Sequence, residues 1–578
     1  MTTLGQEEKQ THWRDTHLAV PAAILALLVL PMIAGAKSKP DMMPPPPREA
    51  VAAGVTARLE TDNPLSVVRL GQEAKARFTI ANSSSAPAKA RLELDVESYD
   101  GAKTARTADL DVPAKSTIEW ALPKETLGSL GHKTVRFLLR VGDEASSQAE
   151  RMLAYMTPSG RLKDRGPGTL FGLAFGAGPD NSKDESALAA DWLGLDVVRL
   201  HPSWNAVEPK AGAWSWEKTD EMLRRFESHG IKIQILFSGT PAWAVKNQQA
   251  AKEARNRGEK TESYCPDPRA WETFAGQFAA RYKGRVSYYE IWNEPDITFW
   301  TGTEDEYLDL LRGACRAIRT SDPKAVVMTG GFAGGGQEFK LKAKLVERTL
   351  AEARDSFDII AYHRHGFFKD FTQEIEGKLL PLREKTGCAA KPIYFTETAM
   401  DARKGYAHQA ETLIKKISYS CSLGAVAYTW FNLHNGSNAP RQMGWTYGLL
   451  TRDGEPKPNF VAYNTLTGLL RGKTPSPRLQ APPDVWALPF RAGNEWVVVC
   501  WLEDSAASGK LPEQGPPSAT LRIHTDAQTA EIVDLMGNTR PLPVSSGAIS
   551  PPLSSAPIFV RLTGANKGLN AARLVGIE

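Results

Sequence analysis

The chain has 578 residues, 42% of them hydrophobic and 24% charged. At about 150 residues per domain this length predicts several domains, and the apolar content excludes a mostly disordered chain. Lys plus Arg number 70 against 66 Asp plus Glu, and this net of +4 is dispersed; nucleic-acid binding needs a concentrated basic face, so no nucleic-acid partner is expected.

Residues 18–36 form an uncharged apolar run about long enough to span a bilayer. Its end, Ala34-Gly35-Ala36, also fits a signal-peptidase site. Lys9 and Arg14 face Glu7, Glu8 and Asp15 before the run, and Lys37 and Lys39 follow it, so charge does not fix the orientation. The expectation is export to the periplasm or the cell exterior, with cleavage after Ala36 or anchoring by an N-terminal transmembrane helix; the alternative is an anchor whose globular part stays in the cytosol. Residues 1–36 are thus a signal or anchor. Residues 37–51, with Pro44-Pro45-Pro46-Pro47, form a stiff linker.

Residues 52–156 alternate with period two: Leu92, Leu94 and Val96 are interleaved with Arg91, Glu93 and Asp95, and Val135, Phe137, Leu139 and Val141 repeat the pattern. Several half-buried strands separated by turns predict an N-terminal β-sandwich. From 168 to 470 short apolar runs alternate with amphipathic segments. Strands are expected near 169–175, 196–201, 231–237, 286–292, 325–330, 357–363, 392–396 and 425–431, with helices such as Thr219–Ser228, Trp271–Tyr282 and Lys342–Arg354 between them. Eight such alternations predict a (β/α)8 barrel. A doubly wound open sheet is the alternative, but Phe175-Gly176-Ala177-Gly178-Pro179 after the first strand is not its glycine fingerprint. Lys246–Ser263 reads as a solvated loop rather than a lid. Residues 475–565 return to strands and predict a C-terminal β-sandwich, followed by a loose tail. The fold class is therefore α/β: a TIM barrel flanked by two β-sandwiches.

Two strand ends carry the chemistry. The fourth ends Tyr289-Glu290-Ile291-Trp292-Asn293-Glu294-Pro295 and the seventh Ile393-Tyr394-Phe395-Thr396-Glu397-Thr398. All strand carboxyl ends of such a barrel open on one face, where active sites sit, so Glu294 and Glu397 can converge. A facing carboxyl pair is what glycosidic cleavage requires: one protonated to assist the leaving oxygen, one ionised to attack or to activate water. Trp204, Trp243, Trp292, Trp300, Trp430 and Trp445 crowd the same face.

Trp292-Asn293-Glu294-Pro295 on strand four, with a Glu closing strand seven, resembles clan A of the glycoside hydrolases. Arg199 on strand two, Glu208-Pro209, Thr240-Pro241-Ala242-Trp243, Trp430 and Asp453-Gly454-Glu455-Pro456 follow in matching order. The stretch Tyr289–Tyr307 is most similar to family 39, a group of β-xylosidases, α-L-iduronidases and exopolysaccharide hydrolases. The resemblance implies a retaining double displacement on an oligo- or polysaccharide, with Glu294 as acid/base and Glu397 as nucleophile. It further implies that Asn293 binds the sugar 2-hydroxyl, that Arg199 keeps Glu397 ionised, and that Trp430 stacks on the sugar. Trp243, Trp300 and His201 are candidate cleft residues.

Tyr362 or His363, in Ala361-Tyr362-His363-Arg364-His365, is expected to tune Glu397 or to touch sugar; two histidines at strand spacing are not by themselves a metal site, and no metal is expected. Gly330-Gly331-Phe332-Ala333-Gly334-Gly335-Gly336 lacks the Lys-Ser/Thr pair of a phosphate loop and reads as flexible. Double displacement needs no cofactor. The competing readings are a non-catalytic carbohydrate-binding barrel and a surface scaffold. The sugar, the linkage and the oligomeric state are not set by the sequence.

Overall fold

The computed structural model describes residues 47–71, 76–160, 165–175, 184–334, 342, 344–436, 446–503, 519–565 and 569–577. The 18–36 run, Gly335-Gly336 and Trp445 lie outside them. Among the described residues no helix is long and apolar enough to cross a membrane.

Eight parallel strands form the central sheet: β1 (Leu170–Ala174), β2 (Val197–Leu200), β3 (Lys232–Phe237), β4 (Val286–Ile291), β5 (Val326–Met328), β6 (Ile360–His363), β7 (Ile393–Thr398) and β8 (Ala427–Phe431). Their order runs β5-β4-β3-β2-β1-β8-β7-β6. The two outer strands meet through single parallel bridges, Met328 to Ile359 and Phe332 to Tyr362. The barrel is thus closed, with a seam between β5 and β6.

Helices between the strands start where their chemistry asks. Asp267 accepts from the backbone N–H of Arg269 and Ala270 ahead of Pro268–Arg281, and Thr303 and Glu306 form a reciprocal capping box ahead of Glu304–Ser321. The Lys246–Ser263 segment is a correction to the sequence reading. It holds a helix, Gln248–Asn256, capped by the Asn247 side chain, and its Gln, Ala, Lys, Glu and Arg are strong helix formers.

Strand periodicity layers the barrel interior. Leu170, Val197, Met328, Ala361, Tyr394 and Ala427 pack into one apolar cluster toward the amino-terminal ends. Two residues further along, the same strands carry Gly172, Arg199, Thr396, His363 and Thr429, joined by Gln234 and Glu290. Side chains at i and i+2 share a face, so this second layer is polar and opens on the carboxyl-terminal mouth.

Two sheets precede the barrel. One pairs Glu49–Ala52, Val55–Thr61, Ala76–Asn82 and Thr117–Ala121; the other is built on Ala88–Ser98, Lys103–Val112, Gly131–Val141 and Ala149–Met156. Leu92, Leu94, Val96, Val135, Phe137 and Leu139 fill the core between them. After the barrel, Val485–Ala492, Glu495–Leu502, Thr529–Val533 and Ile558–Thr563 form the larger sheet of a second sandwich. The expected loose tail is instead partly a strand: Asn570–Ile577 pairs antiparallel with Ala519–His524, a partner too distant in sequence for local pattern to show. Trp486 and Trp501 stack at 5.4 Å and meet Phe368 of the barrel edge-on. Arg151 and Arg48 converge on Glu455 from the first sandwich. Both sandwiches therefore dock on the barrel through specific apolar and ionic contacts.

Candidate active site

Glu294 follows β4 in a tight turn. Trp292 has φ 82° and Glu294 φ 45°, a left-handed conformation that costs free energy in non-glycine residues and persists only where the surroundings impose it. The segment after β5 does so. Glu294 N–H donates to the Gly331 carbonyl at 3.0 Å, and Gly331 N–H to the Trp292 carbonyl at 3.3 Å. Gly331 must be glycine, because a Cβ there would run into His363 Nε2 and Glu290 Oε1. Gly330 N–H donates to Tyr307 Oη at 2.7 Å, and Asp296 accepts from Ala333 and Gly334 N–H at 3.0 and 3.1 Å. The described part of this glycine-rich stretch is thus a packed brace rather than a flexible loop; its glycines serve close approach.

Glu397 reaches the mouth by a different device. Between Phe395 and Thr398, β7 carries one residue more than β8, and His363 of β6 pairs with Glu397 where Tyr362 pairs with Phe395. This bulge at Thr396-Glu397 re-aims the carboxylate, as β-bulges do beside active sites. An oxygen of Glu294, an oxygen of Glu397 and a ring nitrogen of His363 lie within 4.8 Å of one another. Both carboxylates are largely buried, with side chains 11% and 13% exposed, so each is still open to the mouth.

Beneath them lies a charged network. Arg199 donates to Glu290 at 2.6 and 3.3 Å, to Glu397 Oε2 at 2.9 Å and to Asn293 Oδ1 at 2.8 Å. Glu290, fully buried, also accepts from Gln234 Nε2 at 2.7 Å and Thr396 Oγ1 at 2.9 Å. Because the Thr396 hydroxyl gives its proton to Glu290, it accepts from His363 Nε2–H, 3.0 Å away; His363 Nδ1 lies 3.0 Å from Glu294 Oε1. Burial disfavours charge on His363, but the acidic side chains of Glu290, 3.6 Å from Nε2, and of Glu294 outweigh this and raise its pKa to about 9. Burial also works against ionised Glu290 and Glu397. Arg199, then His363, bring Glu290 below its ordinary value. His363, the His365 hydrogen bond and Arg199 hold Glu397 well below the usual carboxylate range. Both His363 nitrogens are engaged by oxygen atoms, so neither offers the free lone pair that metal ligation needs.

Of the sequence-predicted residues, Arg199, Asn293, Glu294, His363 and Glu397 are brought together. His201 is half-buried near the mouth, its Nε2 2.9 Å from Ser238 Oγ, and burial pushes its pKa down to about 4. Trp243 is half-buried, edge-on to Trp204, with Nε1–H on the Glu208 carbonyl at 3.0 Å. Three residues are corrected. Tyr362 alternates with His363 and points out of the barrel, where its hydroxyl donates to Glu374 at 3.0 Å. Trp430 alternates with inward Thr429, is 0% exposed and donates to the Tyr447 carbonyl at 2.8 Å. Trp300 is 1% exposed, packed edge-on against Trp292 at 4.9 Å. None of the three offers a face to a sugar.

The sequence reading missed Glu290, Gln234, Thr396, Phe431 and the pairing of His365 with Glu397. For Glu290 a signal existed, an ionisable residue inside an otherwise apolar strand, which is rare unless paired. Phe431, half-buried, takes the inward position of β8 beside the mouth, 6.0 Å from the His365 ring.

The sequence profile of the family described as cellulase (glycosyl hydrolase family 5) matches residues 162–436. A β-xylosidase of Caldicellulosiruptor saccharolyticus is 24% identical over 336 residues, which is 49% of this chain and 66%, just under two thirds, of that relative. A family 39 glycoside hydrolase from Bacteroides cellulosilyticus superposes with a TM-score of 0.65 at 18% identity, covering 88% of this chain and 100% of its own. The fold is that of a clan A (β/α)8-barrel glycosidase. A family 30 endoxylanase from Clostridium papyrosolvens has the same architecture at a TM-score of 0.50 and 15% identity, over 70% of this chain and 99% of its own.

Proposed function

We propose that the protein is a retaining glycoside hydrolase, most like family 39, that cleaves an O-glycosidic bond of an oligo- or polysaccharide outside the cytoplasm. The observation that carries this is the approach of Glu294 and Glu397 oxygens to within 4.8 Å. Carboxyl groups about 5–5.5 Å apart suit direct attack, whereas inversion needs about 6.5–9.5 Å to seat a water. The superposition over the whole family 39 hydrolase supports the family. The β-xylosidase relative makes β-xylosides the first substrates to test.

In the first step a Glu397 oxygen attacks the anomeric carbon while the glycosidic C–O bond breaks and Glu294 gives its proton to the leaving oxygen. In the second, water attacks the same carbon, Glu294 takes the water proton, and the ester bond breaks to return the Glu397 carboxylate. Arg199 and His363 carry two positive charges; Glu290 and Glu397 carry two negative ones while Glu294 holds its proton. When Glu397 becomes an ester, Glu294 is the carboxylate, and the count is again even. Proton transfer from Glu294 in the step in which Glu397 loses its charge thus leaves the buried charge balanced, and unbalanced buried charge is costly. Asn293, held by Arg199 through Oδ1, keeps its amide N–H for the 2-hydroxyl of the sugar. Phe431 takes the stacking role expected of Trp430. The two sandwiches, joined to the barrel by shared packing, support it. Export directed by residues 1–36 belongs to the same proposal, and the N-terminus of the mature protein tests it.

The test is turnover of a panel of aryl glycosides, led by β-xylosides, with the anomer first released read by proton NMR. Retention, with loss of activity in Glu397→Gln, is expected. Glycan binding without turnover would make the barrel a binding module, and inversion would reassign Glu397 as a base.

A further inference from the structure

Part of the mouth is walled by the chain after β8. Phe431 ends that strand, and Tyr447 packs against it at 6.2 Å. Three stretches behind these rings are laced together by the backbone. Leu449 N–H donates to the Asn432 carbonyl at 3.1 Å, Leu450 N–H to the Leu433 carbonyl at 2.7 Å and Lys457 N–H to the Leu449 carbonyl at 3.0 Å. The buried Lys457 side chain ties the same stretches again. Its Nζ donates to Asn435 Oδ1 at 3.2 Å, to the Thr446 carbonyl at 3.0 Å and to Gln409 Oε1 at 2.8 Å, so three acceptors meet the three donors of an ammonium. Gln409 in turn donates to the Met400 carbonyl after β7 at 2.6 Å.

Two residues before Lys457, Glu455 reaches out to the N-terminal sandwich. Arg151 Nε pairs with Glu455 Oε1, Arg48 Nη2 lies 3.1 Å from the same oxygen, and Met152 N–H donates to Oε2 at 3.4 Å. The Arg151 and Glu455 side chains are both largely buried. Docking of the sandwich has a separate anchor: Asn464, in the helix Pro458–Leu470, donates to the Thr157 carbonyl at 2.9 Å and accepts from Ser159 N–H at 2.7 Å. Loss of Arg151 would therefore free the turn at Glu455 while the domain stays attached.

We propose that Arg151 is a positioning residue: through Glu455 and Lys457 the N-terminal sandwich holds Phe431 and Tyr447 in place to receive the sugar. This rests on the reading of Phe431 as the sugar-facing aromatic. Coupling of this kind passes through packed side chains and hydrogen-bond networks, and here every link is a named bond. Without Arg151, Glu455 would keep Arg48, whose side chain is half exposed, and exposed pairs hold little.

The test uses the full chain, hydrogen exchange and turnover of 2,4-dinitrophenyl β-D-xylopyranoside. In Arg151→Ala the amides of Gly448, Leu449 and Leu450 should exchange faster than in wild type. KM should rise about 10-fold, the scale of one apolar contact with a ligand, with kcat changed less. Arg151→Lys, which keeps the charge, should recover part of both effects. Arg151→Ala combined with Phe431→Ala should raise KM by less than the product of the single effects, because both act on one wall; a merely structural role would give the full product. Asn464→Ala, which loosens the docking but not the turn, should leave KM as in wild type. Unchanged exchange of those amides in Arg151→Ala, or faster exchange with wild-type KM, would overturn the inference and leave the hydrolase proposal intact. No turnover of any aryl glycoside by the wild-type chain would overturn the hydrolase proposal and, with it, the role assigned to Arg151.

Discussion

The guanidinium of Arg199 lies against the carboxylate of Glu290 in the closed interior of the barrel, with nitrogen-to-oxygen distances of 2.6 and 3.3 Å, and its remaining donors reach Glu397 and Asn293. Glu290 is 0% exposed, closed off from the mouth. It is the counter-charge that lets Arg199 serve two residues above it.

Glu290→Gln keeps the shape and removes that counter-charge. Breaking a buried pair from one side costs about 3–5 kcal/mol, so the variant should lose stability on that scale in urea unfolding. Turnover should fall as well, because Arg199 then has one fewer anchor. An unchanged unfolding midpoint would mean that Gln234 and Thr396 suffice.

Glu294→Ala should behave differently from Glu397→Gln. Loss of a general acid costs about 10²–10⁴-fold, and the loss should be largest for glycosides with poor leaving groups and small for dinitrophenyl ones. Added azide should restore turnover by attacking the glycosyl-enzyme, with a β-glycosyl azide as product. Equal losses for all leaving groups would remove Glu294 from the acid role.

The two histidines impose opposite pH dependence on stability. His363 rises from 6.5 to about 9 on folding. Its contribution is complete below about 6.5 and is lost as pH rises through about 9. His201 falls from 6.5 to about 4; its contribution is present above about 6.5 and is lost as pH falls toward 4. Thermal midpoints measured against pH should thus slope down on both sides. His363→Gln should flatten the alkaline arm and His201→Gln the acid arm. Arms unaltered by either substitution would assign the slopes to other groups.

Trp300 and Trp430 should report on stability, Phe431 on substrate. Truncating a fully buried Trp to Ala costs about 3–5 kcal/mol, so both Trp→Ala variants should unfold earlier with little change in KM of the folded fraction. Phe431→Ala should raise KM with a smaller change in midpoint. The reverse ranking would return the stacking role to Trp430.

Much of this was legible in the amino-acid pattern. All eight expected barrel strands coincide with observed ones, because short apolar runs between amphipathic segments leave little choice. The convergence of Glu294 and Glu397 followed from the rule that strand carboxyl ends share a face. Facing within a strand end was harder. Simple alternation would send Glu397 outward after inward Thr396; the bulge reverses it. No residue type announces that bulge. Alternation did apply at Tyr362 and Trp430, and a strand phase anchored on His363 and Thr429 would have excluded both. The tail strand Asn570–Ile577 was hidden because its partner, Ala519–His524, is remote.

The seam between β5 and β6 has a consequence for how the molecule fails. Elsewhere neighbouring barrel strands are joined by ladders of several residue pairs, but here isolated bridges and a few bonds around Gly331 and Phe332 hold the edges. Those bonds also hold Glu294 in its turn and seat His363 under it. Regions closed by few backbone bonds open first, with less free energy than global unfolding. On warming, the amides of Val326–Met328 and Phe332 should take up deuterium before those of β1 or β8, and the site should lose its order first where Gly331 holds Glu294 and His363 sits beneath it.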